Sequence, residues 1–129
     1  MATYAADVQR LSNWLKYEEE PASGVTREVI AKAGVNATIT GSVLDSTGKL
    51  VVKATVADAT YIMIDDLTTP AAAEYKTGVL VLARGHAKVG KNALIFGADV
   101  LDADKEASFT ALKAKNIFAV DQLEPYAFV

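Results

Sequence analysis

Ala37-Thr38-Ile39-Thr40-Gly41-Ser42-Val43-Leu44, then Asp45-Ser46-Thr47-Gly48-Lys49, then Leu50-Val51-Val52-Lys53-Ala54-Thr55: two runs rich in β-branched and aliphatic residues flank five residues of turn chemistry. Gly48 can adopt positive φ without a Cβ penalty, so the stretch reads as a hairpin with its loop at 45–49. The same texture recurs outward on both sides. Further strands are expected at 26–31, 61–64, 79–83 (entered through Gly78), 93–96 and 117–120. The segment 68–74, Thr-Thr-Pro-Ala-Ala-Ala-Glu, reads as a loop with at most one helical turn after Pro70.

One helix is written into the sequence. Asp102 or Asp104 is the expected N-cap, and Ala107, Phe109, Ala111, Leu112 and Ala114 follow. Lys113 and Lys115 lie at the negative end of the helix dipole. Its stop is legible too: with Asn116 as the left-handed C′ residue, Ile117 and Leu112 form the apolar pair of a Schellman motif. The expected class is mainly β (α+β), with one short C-terminal helix.

Residues 1–24 differ. Apolar residues are sparse and the segment closes on Glu18-Glu19-Glu20-Pro21-Ala22-Ser23-Gly24, a charge run followed by chain breakers. We read 1–24 as an extended N-terminal arm and linker and 25–129 as the β-rich domain, with a tail after the last strand. Val8, Leu11 and Leu15, joined by Trp14, fall at helical spacing, so the arm holds a short amphipathic helix that is marginal without a partner. Trp14 has two readings: it folds back onto the domain, or it anchors a partner.

The 129 residues, 51% of them hydrophobic and 22% charged, suffice for one domain with one core. Thirteen Lys and Arg against sixteen Asp and Glu give a net charge of −3, which argues against a nucleic-acid grip. No cysteine is present, which excludes disulfides, thiolate metal sites and Cys nucleophiles. The longest charge-free stretch, 33–44, falls short of the roughly eighteen residues of a spanning helix, and the N-terminus lacks the pattern of a secretory signal. Charge is segregated: 54–75 holds Asp58, Asp65, Asp66 and Glu74 without a basic residue, and 76–98 holds Lys76, Arg84, Lys88 and Lys91 without an acid. Complementary patches of this kind suit self-association, and Asp65, Asp66, Arg84 and Lys88 are its candidates.

No catalytic pattern emerges. Gly85-His86-Ala87-Lys88-Val89-Gly90-Lys91-Asn92 has phosphate-loop spacing, but Asn replaces the Mg²⁺-binding hydroxyl and no helix is expected to follow. His86 is the single histidine, with no nucleophile or acid nearby in sequence. Asp99, Asp102, Asp104 and Glu106 lack the Gly and Glu of a calcium loop. Asp65 and Asp66, as strand neighbours, would face opposite ways and make a poor carboxylate pair. No catalytic residue, metal or cofactor is expected.

Asn13-Trp14-Leu15-Lys16-Tyr17-Glu18, followed by Thr26-Arg27-Glu28-Val29, resembles the N-terminal signature of the head decoration (capsid cement) proteins of tailed bacteriophages, the lambda decoration-protein-like group. Gly41-Ser42-Val43-Leu44, Ile62-Met63-Ile64-Asp65-Asp66, the segment 79–89 and Ala111-Leu112-Lys113-Ala114-Lys115-Asn116-Ile117 resemble later motifs of that family in the same order. In the closing helix the family more often has Gly where this chain has Asn116. Residues 2–11 are longer than the family pattern, and 121–129 run beyond its usual end.

The resemblance implies a small β-rich, barrel- or tulip-like domain that forms homotrimers. It would sit on the outer surface of the expanded head of the virion, after synthesis in the bacterial cytoplasm, and clamp major capsid protein subunits against DNA pressure. The arm would order on the capsid, which makes Trp14, Leu15, Tyr17, Glu18 and Arg27 the candidate contacts. The main alternative is a non-catalytic β-rich module that binds carbohydrate or serves tail or cell-surface adhesion. A nucleotide-binding protein using 85–92 is a further one.

Overall fold

Val79-Leu80-Val81-Leu82 is apolar at every position because its strand is interior to a sheet, with Leu82 entering one core cluster and Val79 and Val81 another. The structure, a computed structural model, describes residues 11–20, 23–32, 39–65 and 76–121. Four strands, β2 (Arg27–Lys32), β3 (Val43–Asp45), β4 (Ala59–Met63) and β5 (Lys76–Leu82), form an antiparallel sheet in the order β2-β5-β4-β3. Side chains alternate along them. Val43, Ile62 and Leu82 enter the larger core cluster, whereas Leu44, Met63, Val79 and Val81 form a second cluster with Ala83 on the opposite face.

The second sheet has the order β1-β6-β7, from β1 (Leu15–Glu18), β6 (Ala87–Gly90) and β7 (Ile117–Val120). β1 runs antiparallel to β6, and β7 parallel to it. A parallel pair needs a long crossover, and α2 (Asp102–Lys113) lies within that connection. Trp14, from the single turn α1 (Leu11–Trp14), joins Val89, Leu112 and Ile117 in the larger cluster, each 0% exposed.

The expected mainly β domain with a short C-terminal helix is what the described residues show, with α1 as an added single turn. The hairpin loop forms as expected. Gly48 has φ 86°, and Asp45 organises the turn by accepting from the N–H groups of Thr47 at 2.9 Å and Lys49 at 3.1 Å. The return strand does not extend to Thr55. After one bridge from Leu50 to Leu44 the chain enters a 3₁₀ segment, Lys53–Asp58. Thr55 Oγ1 accepts from Val52 N at 2.9 Å, and Ser108 of α2 donates to Val56 O at 2.6 Å, so one local and one long-range side-chain bond replace the ladder.

Three further boundaries change. The expected strand at 93–96 reduces to a bridge between Ile95 and Ser42, because Lys91–Ala93 is a 3₁₀ turn. Of the strand expected at 37–44, residues 37 and 38 lie outside the described residues; Gly41 turns at φ 94° and pairing proper starts at Val43. Leu15 belongs to β1 rather than to a helix, and Val8 lies outside the described residues. The loop at 68–74 also lies outside them.

In α2 the N-cap is Leu101, with Asp104 in the third position accepting from its N–H at 3.0 Å, so neither predicted aspartate is the cap itself. At the other end Asn116 has φ 65°, and Ile117 and Leu112 are both buried, as the stop signal requires.

Candidate functional site

Of the residues singled out between Trp14 and Arg27, Glu18 and Arg27 meet across the edges of the two sheets. Among the described residues β1 and β2 are each an outer strand of their sheet, with one row of backbone groups outside the ladder. Glu18, last in β1, turns its carboxylate onto the start of β2. Arg27 Nε donates to Oε2 at 2.6 Å and Nη2 to Oε1 at 2.7 Å, a bidentate fork, and the Thr26 hydroxyl donates to Oε2 as well. The Glu18 side chain is only 4% exposed. The Arg27 hydrogen bonds hold its carboxyl below the ordinary value against the opposing effect of burial, and Glu18 in turn raises Arg27.

Trp14 is placed inside. It is 0% exposed and its Nε1 donates to Thr40 Oγ1 at 2.9 Å. Of the two readings of Trp14, the structure has the inward one, because β1 pairs with β6 and so draws α1 into the core. Leu15 packs half-buried against the same cluster. Tyr17, by contrast, is 52% exposed. Val25 and Val29 are outward as well, Val29 at 62%, and flank Arg27 on either side. Thr26, Thr40, Val25 and Val29 are not among the candidate contacts, although Thr26 and Val29 stand in the family motif; a further signal is Val29 sitting two residues from Arg27, on the same side of a strand.

The β1 edge continues into Glu19. Its N–H donates to His86 O at 2.9 Å, and its carboxylate lies 3.1 Å from His86 Nδ1, which holds that carboxyl below its ordinary value. His86 stacks on Phe118 with centroids 6.4 Å apart. Gly85 has no room for a side chain, since a Cβ there would lie 1.8 Å from Asn116 O. The segment with phosphate-loop spacing is β6 followed by a three-residue 3₁₀ turn, so no helix N-terminus faces it.

Of the self-association candidates, Asp65 accepts from Leu80 N at 2.8 Å and Arg84 donates to Val25 O at 2.8 Å while pairing with Glu28. Lys88 is exposed in β6, without an ion-pair partner among the described residues, and Asp66 lies outside them. Among the three described candidates, no hydrogen bond or ion pair joins Asp65 to Arg84 or Lys88.

A family model described as bacteriophage lambda head decoration protein D matches residues 5–117. The chain belongs to this family. Membership in the head decoration family makes it a capsid-associated structural protein of the phage virion. The match spans every described element up to the first residue of β7. No curated protein matches the chain.

Proposed function

We propose that this protein binds the outer surface of the expanded phage head as a homotrimer and clamps neighbouring major capsid protein subunits against internal DNA pressure, without catalysis. The observation that carries the reading is the junction of β1 and β2, each an outer strand among the described residues, locked by Glu18 and Arg27 and bearing Tyr17, Val25 and Val29 outward. An open edge accepts an added strand through main-chain hydrogen bonds, and the outward side chains supply pockets and specificity.

In this reading the five arm residues divide. Tyr17 touches the capsid, with Leu15 and Arg27 at its margin, and Trp14 and Glu18 hold β1 in place from within. Residues 1–10 act as the arm proper and contribute to capsid binding. Three copies around one axis combine weak contacts through effective concentration, with Asp65, Asp66, Arg84 and Lys88 contributing to the heterologous contact between copies.

Two substitutions test the surface. Tyr17→Ala with Val29→Ser is expected to weaken binding to undecorated expanded heads by at least roughly tenfold, as truncation of hot-spot residues does, while leaving the thermal transition nearly unchanged. Full binding by the double variant would remove this surface from the account.

A further inference from the structure

We propose that the groove between β7 and the last turns of α2 seats an acid-bearing apolar segment of the major capsid protein, whose carboxylate pairs with Lys113. The inference deepens the capsid reading above and rests on it. The groove holds about 390 Å³, with Phe109, Phe118 and Val120 as apolar walls and Lys91, Glu106 and Lys113 as its charged groups. That volume falls in the range of roughly 300–1,000 Å³ of clefts that hold ligands.

Two observations point to such a partner. The first is charge. Lys91 has its counter-ion within the molecule, Asp121 at 3.6 Å, and its ammonium lies 5.6 Å from the centroid of the Phe109 ring. Lys113 is exposed and has no ion-pair partner among the described residues. Glu106 precedes it by two helical turns, about 10 Å along the axis, too far to pair with it. An ammonium at the rim of an apolar groove complements a carboxylate whose own chain covers the rings. The second observation is continuity with the surface at β1. Lys88 is exposed between buried Ala87 and Val89, and across the sheet it is paired with Tyr17 on one side and Phe118 on the other. Cross-strand partners share a face, so Tyr17, Lys88 and Phe118 form one row that leads from the capsid contact proposed at Tyr17 into the groove. The row spans three strands, about 10 Å, which three extended residues of a partner cover. His86, stacked on Phe118, widens it.

The test is co-sedimentation with expanded, undecorated heads, at low and moderate salt, of the full chain and of Lys113→Gln, Lys113→Glu and Lys49→Glu. Lys49 is an exposed lysine of the 45–49 loop and serves as the charge control. Lys113→Glu is expected to weaken binding at least roughly tenfold, Lys113→Gln less and with a shallower salt dependence, and Lys49→Glu by no more than about twofold. In the unaltered chain, acylation of Lys113 is expected to slow several-fold on heads while Lys49 is labelled equally in both states, a reading that needs no variant. If the unaltered chain binds heads but Lys113→Glu binds as well, or Lys49→Glu loses as much, or Lys113 is labelled on heads as fast as in the free protein, the groove assignment is overturned and the capsid reading stands. Shielding of Lys113 that grows with the concentration of free protein gives the groove to a second copy and overturns it too. A chain that does not sediment with heads overturns both.

Discussion

Trp14 and Glu18 do different work although only three residues separate them. Trp14 fills the larger core cluster and satisfies its single N–H on Thr40, so Trp14→Ala removes packing and leaves a cavity. A loss of about 3–5 kcal/mol is expected in chemical denaturation. Glu18 is a buried carboxylate whose bonds come from Arg27 and Thr26. Glu18→Gln unpairs Arg27 and is expected to cost roughly 3 kcal/mol at pH 7. The sign with pH follows from the lowered carboxyl. Its contribution is full above the ordinary value of 4.5 and is lost as pH falls from there through the folded value. Wild type and Glu18→Gln should therefore converge in stability in acid, which denaturant midpoints between pH 7 and pH 3 would check; a constant gap would refute the assignment. Trp14 as an inward anchor was one of two readings open from sequence. The Glu18–Thr26–Arg27 cluster was not legible, because three-dimensional pairing across eight and nine residues leaves no periodic trace.

The elements that local chemistry specifies are the ones the sequence made readable. The hairpin loop needs Gly48 and an aspartate, and α2 ends where Asn116 can turn left-handed. Asn116→Gly is expected to be neutral or to stabilise by a few tenths of a kcal/mol, and Asn116→Ala to cost about 1 kcal/mol, as measured by thermal melting. Gly85→Ala should cost more, about 1–3 kcal/mol, because the added methyl meets the backbone of Asn116 rather than a side chain that can rotate away. The strands that failed to appear, after Leu50 and around Ile95, have apolar runs like the others. Their backbone is claimed instead by Thr55, Ser108 and the contact of Gly97 N with Val51 O at 2.8 Å, which only the assembled fold supplies.

For the molecule as a whole, packing fixes where a deletion can be made. Residues 11–20 carry Trp14 and β1, so removing 2–24 would take a core side chain and a strand with it; a deletion that isolates the arm stops at residue 10. The chain lacking 2–10 is expected to keep its denaturation midpoint and to lose most of its affinity for heads. Family membership was readable because its motifs are short, ordered and spaced as in the family, whereas the outward face of β1 and β2 emerged only once register had assigned Val29 and Tyr17 to the exterior. The central claim is binding to the assembled head. Co-sedimentation of the purified full chain with expanded, undecorated heads measures it most directly. The account predicts saturation near one copy per capsid protein subunit; a chain that stays in the supernatant at saturating concentration would contradict it.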